Sequence, residues 1–278
     1  MKIPLKINKV LGLSTIFLCL WLPSFAAADD LEIPGTGASE VLLREVAEVF
    51  NAGHPMHRII IPRSIGTVGA MRRVLSGQSV LVRVGRPLTP EEKAQGLTYL
   101  PFARDMVVFA VGAKVPIRSI TTSQLVDIYT GKIKNWQALG GPQASIRLLL
   151  RQPGDSSLLV IQKHLEPFRT ITFDPAGKVP YTDPDMLDLL QKYDYSIGWV
   201  TYSSLRGAKT PIYPLALDGI APSRENARSQ AYKLLEEYAL VCKGKQLPYL
   251  AKTFLDFLFS REGQTLMEHL YVIPVARE

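Results

Sequence analysis

Three stretches of this chain set glycines and hydroxyl residues directly before an amphipathic run. They are Ile33-Pro34-Gly35-Thr36-Gly37-Ala38-Ser39, Arg63-Ser64-Ile65-Gly66-Thr67-Val68-Gly69 and Arg151-Gln152-Pro153-Gly154-Asp155-Ser156-Ser157. A glycine-rich turn that opens a helix leaves backbone N–H groups aimed at one spot, with the positive end of the helix dipole behind them. That is the simplest anion cradle a protein can make. One such turn is a weak signal; three of similar chemistry point to a site for an anion or another polar ligand. Other chemistry has little footing. Ser39 sits in no G-x-S-x-G turn, and no histidine is placed by the sequence to activate it. His54, His57, His164 and His269 fall in no metal-ligand spacing and read as surface or capping residues. Neither catalysis nor a metal or cofactor is expected.

The elements that must position these turns alternate between two periods. From Glu40 the residues Leu42, Val46, Val49 and Phe50 recur at helical steps, and residues 58–62 are a β-branched run that reads as a buried strand. A helix with Val68, Met71, Val74 and Leu75 on one face follows, stopped at Ser76-Gly77, and residues 80–84 make the next strand. Thr89 and Pro90 are an N-cap and a first helical residue. Residues 97–102 and 106–111 read as successive strands separated by Ala103-Arg104-Asp105. A helix capped by Thr121 or Thr122, a buried strand at 146–150, and a helix on Leu158, Leu159, Ile161 and Leu165 come next. Residues 195–200 and 238–241 read as further strands, and 248–259 as a helix with a second short one behind it. Alternation of this kind predicts an α/β fold with largely parallel sheets, whose strand ends converge on a cleft. Trp136 and Trp199 are expected in the core.

Residues 1–28 are not part of that fold. Lys2, Lys6 and Lys9 precede an almost wholly apolar stretch at 11–22, and Ala26-Ala27-Ala28 supplies small residues for cleavage: a secretory signal peptide. Its removal takes three lysines and leaves a net charge of +4 against +7 for the precursor. So mild a balance, spread along the chain, does not imply nucleic acid. Cys19 lies in the leader behind Phe17 and Leu18, residues too bulky for a lipidation site. Cys242, in an apolar run, reads as a buried thiol, so the exported chain has no internal disulfide. A soluble periplasmic product is expected.

In this order the chain resembles the phosphate-binding protein family of bacterial ABC importers, among the type II periplasmic binding proteins. The resemblance is carried by the three turns and by Gly85-Arg86-Pro87-Leu88-Thr89-Pro90-Glu91-Glu92, Ala103-Arg104-Asp105, and the run from Leu125 through Thr130-Gly131-Lys132-Ile133-Lys134-Asn135-Trp136. Ser196-Ile197-Gly198-Trp199-Val200 and Ser260-Arg261-Glu262-Gly263-Gln264 extend it over nearly the whole mature chain. The family implies two α/β lobes around a ligand cleft, here 29–104 with 235–278, and 105–234, with 106–111 and 238–241 as crossovers. It implies a small oxyanion, phosphate by default, held by backbone N–H groups and hydroxyls at Ala38, Ser39 and Thr67, by Arg151, and by Ser156 and Ser157 at the third helix start. A guanidinium supplies two parallel donors that match paired oxygens. It also implies inner-membrane permease subunits as partners and a monomeric carrier.

Two positions depart from the family pattern. Val80 stands where the family has an aspartate that accepts the ligand's proton, and Asp155 stands where it usually has serine. A charged Asp155 inside the cradle would repel an anion by about 4 kcal/mol at ~4 Å and an effective dielectric of ~20. Asp155 can be a helix N-cap, a partner of Arg151 or Arg83, or the stand-in proton acceptor. Arg83, a charge inside an apolar strand, either faces the cleft as an added anion contact or lies on an exposed face. The two departures leave open a non-transporting sensor or protein-interaction module.

Overall fold

Threonine and proline start several helices as the sequence predicts. Thr89 and Thr121 each accept from the backbone N–H three residues on, while Glu92 and Gln124 reach back to the cap residue, two complete capping boxes. Thr182 makes a third with Asp185. The computed structural model describes residue 1, residues 29–244 and residues 246–277. Residues 2–28 of the expected leader lie outside the described residues.

The order of elements is β1 (Asp29–Glu32), α1 (Glu40–Gly53), β2 (His57–Ile60), α2 (Gly66–Leu75), β3 (Leu81–Val84), α3 (Pro90–Ala94) and β4 (Leu97–Val111). Then come β5 (Ser119–Ile120), α4 (Thr122–Tyr129), β6 (Arg147–Leu148), α5 (Ser156–His164), α6 (Asp183–Lys192), β7 (Ser196–Thr201), β8 (Tyr213–Pro214), β9 (Ala216–Leu217) and α7 (Arg224–Arg228). The chain finishes with β10 (Leu235–Lys243), α8 (Tyr249–Phe259), α9 (Arg261–His269) and β11 (Ile273–Pro274). The α/β class is as predicted.

Strands that feed helices run parallel: β1 with β2, β6 with β7, and, through a bridge from Gly35 to Arg83, the continuation of β1 with β3. Among the described residues, every antiparallel pair of strands contains β4 or β10. These two strands are paired with each other from Leu235↔Met106 to Lys243↔Leu97, with one irregularity between Tyr238 and Ala239. The predicted break at Ala103-Arg104-Asp105 is absent. Each of those residues keeps a partner on β10, so β4 is one strand of 15 residues.

The apolar side chains gather on either side of that ladder. One cluster takes residues between Met106 and Leu234, with Trp136, Trp199, Phe109 and Phe168 at its centre. A second takes Ile33, Leu42, Val46 and Phe50 from the N-terminal part together with Phe254, Leu255 and Leu258 of α8. A third lies under α2, on Met71, Val74, Val82 and Val241. Both tryptophans are core residues as predicted, and Cys242 is a buried free thiol.

Candidate functional site

Four helix starts meet at one cavity of about 240 Å³. Its walls are Thr36 to Ala38 before α1, Ser64 to Val68 at α2, Arg151 to Ser156 before and at α5, and Tyr181 and Thr182 before α6. The first three are the glycine/hydroxyl turns singled out in the sequence; the fourth was not. Arg86 also lines the cavity, held by Glu92 through two N···O contacts of 2.8 Å. Converging helix N-termini place partial positive charge and N–H groups on one point.

Arg151 is the buried cation of the site. Its Nη2 donates to Asp183, and its Nε lies 3.6 Å from Asp155 Oδ2. Nε and Nη1 make no hydrogen bond although both are buried. Asp183 is itself fixed: its Oδ2 accepts from Thr201 N at 3.2 Å, Thr201 Oγ1 at 2.7 Å and Ser204 Oγ at 3.4 Å. The guanidinium is thus anchored on one side and unsatisfied on the other. Two hydroxyls predicted for the site share this condition, because Ser39 Oγ and Thr67 Oγ1 are buried without a partner. Buried donors are ordinarily paired, so the three such atoms on the cavity wall, Arg151 Nε and Nη1 and Thr67 Oγ1, describe a place prepared for acceptors; Ser39 lies just off that wall.

Asp155 is both a cap and an ion partner. Its Oδ1 accepts from Ser157 N at 3.1 Å, Leu158 N at 3.2 Å and Ser157 Oγ, while its Oδ2 approaches Arg151. This corrects the role assigned to Ser157. Its N–H is spent on the cap, and its hydroxyl lies between Asp155 and Trp199 Nε1, which donates to it at 3.1 Å. Ser157 is absent from the cavity wall; Ser156 is present.

Arg83 takes neither predicted place. It is 0 % exposed, and its Nε and Nη2 donate to Thr36 O at 2.9 Å and Pro62 O at 2.8 Å, while Nη1 donates to Ile33 O. Glu40 lies 3.6 Å away. Burial lowers its pKa to about 10, partly offset by Glu40. With three carbonyls as partners Arg83 is no ligand contact; it shapes the first turn. Holding Thr36 O against the guanidinium sends the N–H of Gly37 the opposite way across the planar peptide. Val80, 38 % exposed ahead of β3, is not on the cavity wall.

Asp105 joins the site to the crossing strands. It accepts from Met106 N at 2.7 Å, Ser203 N at 3.2 Å and Tyr238 Oη at 3.1 Å, and that hydroxyl also lies 3.1 Å from Ala38 O. Burial pushes its pKa up to about 7, against the pull of these hydrogen bonds.

Residues 23–262 match the PBP superfamily domain. The chain belongs to that superfamily. Among its relatives, the phosphate-binding protein PstS of Bacillus subtilis is 27 % identical over 247 residues, covering 86 % of this chain and 78 % of its own. The PstS of Borreliella burgdorferi is 26 % identical over 189 residues, covering 66 % and 68 %. A putative phosphate ABC transporter substrate-binding protein from Clostridium perfringens, solved with bound phosphate, superposes with a TM-score of 0.77 at 26 % identity, covering 89 % of this chain and all (100 %) of that one. An ABC-type phosphate transport receptor from Vibrio cholerae shares the fold, with a TM-score of 0.65 at 20 % identity over 87 % and 99 % of the chains. Within the PBP superfamily, then, the two-lobed α/β architecture of this chain is ordinary; its cleft has features of its own.

Sequence reasoning gave no site role to Asp183, Asp105 and Glu236. Asp105 stood within the Ala103-Arg104-Asp105 motif, and Asp183 carried a local signal: Thr182-Asp183-Pro184-Asp185 is a cap, a proline in the first turn and an acid three residues after the cap, the start of α6. No cluster able to hold a metal is present among the described residues.

Proposed function

We propose that this chain is an extracytoplasmic solute-binding protein that captures a small oxyanion, phosphate by default, and delivers it to the permease of an ABC importer. The carrying observation is the set of unmade buried donors on the cavity wall, Arg151 Nε and Nη1 and Thr67 Oγ1, where four helix starts meet, with Ser39 Oγ unpaired one residue beyond the wall. The names of the relatives and the phosphate bound in the Clostridium perfringens structure support the choice of ligand. Ala38 and Ser156 complete the contacts. The lobes are residues 29–104 with 235–278, and 105–234, joined through β4 and β10. No bond is made or broken: function is the higher affinity of the closed arrangement for the ligand. The leader at 1–28 sends the protein to the periplasm, where it works as a monomer.

Calorimetry of the chain from Asp29 onward with inorganic phosphate tests this. Binding is expected in the wild type, and Arg151→Ala should weaken it at least a thousandfold, about 4 kcal/mol. Because Asp183 would then be buried without its cation, Arg151→Ala with Asp183→Asn serves as the folded control. Unchanged affinity overturns the site. No thermal stabilisation by phosphate, sulfate, a phosphonate or molybdate overturns the capture role in favour of a sensor or interaction module.

A further inference from the structure

Glu236 occupies a position that the anion site as described does not use. It lies on β10, directly across from Asp105 on β4. It is 0 % exposed, and neither carboxyl oxygen has a hydrogen-bond partner. Its place is set by a glycine: a Cβ on Gly85 would collide with Glu236 Oε1 and would stand 2.8 Å from Ser156 Oγ. The carboxyl and the Ser156 hydroxyl therefore share the space that the missing side chain leaves, and Ser156 is on the cavity wall.

The charged groups around Glu236 are mostly acids. Asp183 at the start of α6, Asp155 before α5 and Asp105 on β4 all act on it, and Tyr238 lies two residues along the same strand. Arg151, the cation tied into this group, is already divided between Asp183 and Asp155. A carboxylate in that position would be desolvated, without a cation of its own and beside three other acids, a combination proteins avoid by keeping the proton. Burial, against the pull of the neighbouring Ser156 hydroxyl and with the help of these charges, holds its pKa well above the usual carboxylate range. The two protonation states have opposite consequences for a ligand. A neutral carboxyl has an O–H to donate to the neighbouring Ser156 hydroxyl, which leaves that hydroxyl's own hydrogen free for a ligand at the wall. An ionised one puts a fourth acid behind the cradle.

We propose that Glu236, as the neutral acid, is a specificity-determining residue of the anion site, and that its ionised form excludes anions from the cleft. The proposal rests on the reading of the cleft as an oxyanion site and narrows it, to small oxyanions of low charge taken up from acidic or neutral surroundings. The sign follows from linkage. A bound anion favours the protonated carboxyl, so affinity is full below the pKa of Glu236 in the empty cleft. It falls by up to tenfold per pH unit as the pH rises through that value.

The test is calorimetry with inorganic phosphate on the wild type, Glu236→Gln and Glu236→Leu between pH 6 and 9.5. The ratio of wild-type to Glu236→Gln affinity cancels the titration of phosphate itself. At pH 6 that ratio is expected within about threefold of one, since glutamine keeps a donor and an acceptor but cannot ionise. By pH 9.5 the wild type should have lost at least tenfold relative to Glu236→Gln. Glu236→Leu should bind at least tenfold more weakly than the wild type at pH 6 while melting no lower. A flat ratio overturns the proposal, as does a Glu236→Leu protein that binds like the wild type, or a tenfold defect of Glu236→Gln at pH 6. Absence of phosphate binding in wild type and Glu236→Gln alike would instead count against the oxyanion reading.

Discussion

Arg83 and Arg151 are both buried guanidiniums beside the same cluster of turns, and they are finished differently. Arg83 spends its side chain on the carbonyls of Ile33, Thr36 and Pro62. Arg151 gives Nη2 to Asp183 and keeps Nε and Nη1 without a hydrogen bond. Burying a charge is costly, and carbonyl oxygens or a carboxylate can offset the cost. In the first region the protein supplies the whole compensation, so the group builds structure. In the second it supplies part, and the remainder falls to something that arrives. Burial and residue type are shared; the number of unmade hydrogen bonds separates scaffold from site.

The comparison predicts a crossed pattern. The loss of phosphate affinity expected for Arg151→Ala is the largest effect. Arg83→Met should be the mirror image, lowering unfolding free energy by roughly 3–5 kcal/mol as three buried carbonyls lose their partner and Glu40 keeps only Arg44 of its two cations. At a temperature where the Arg83→Met protein is folded, its phosphate affinity should fall far less than that of the Arg151 variant, by about tenfold at most. Denaturant melts and calorimetry on both variants read this, and an Arg83→Met protein that keeps full stability but cannot bind would collapse the distinction.

A smaller effect is expected at Asp155, which lends its second oxygen to Arg151. Asp155→Ser keeps a capping hydroxyl and removes a negative charge from the cradle, so phosphate affinity should rise about tenfold, in line with a few kcal/mol of like-charge repulsion partly screened. Weaker binding would show that Asp155 holds Arg151 in register and does not oppose the ligand.

At Asp105 the readout is pH. The carboxyl pKa rises from 3.8 to about 7 on folding. A group that binds its proton more tightly in the native state stabilises the fold most below its unfolded pKa, and that stabilisation is lost as pH rises through the folded value. The wild type should therefore lose stability relative to Asp105→Asn between about pH 4 and pH 7, by chemical denaturation at each pH. A constant difference would place the proton elsewhere. Least affected should be Val80→Asp. At 38 % exposure and off the cavity wall, it should change phosphate affinity less than about twofold.

What was legible in the sequence was local. The turns at Gly35, Gly66 and Gly154, the caps at Thr89 and Thr121, and the alternation of strand and helix depend on neighbours within a few residues. The site's remaining parts depend on distant ones. Asp183 reaches Arg151 across 32 residues of sequence, from the start of a separate helix. Glu236 meets Asp105 through strand register, which the fold sets. Arg83 could be placed in a cleft or on a surface by its charge, but its partners are main-chain carbonyls, and these leave no mark in residue types. Ser157 has the right type for a ligand contact, but the Asp155 cap two residues earlier claims its N–H.

The position of β10 bears on how the chain is made. It lies between β3 and β4 and pairs with both, yet it follows Leu234 in sequence. As the polypeptide emerges from its N-terminus, β3 and β4 are present long before the strand that joins them, and the cluster between Met106 and Leu234 is complete first. Until β10 arrives, two apolar strand edges stand open, the condition under which chains pair with the wrong partner. The lag between residues 111 and 235 is therefore the interval in which this protein most needs an escort.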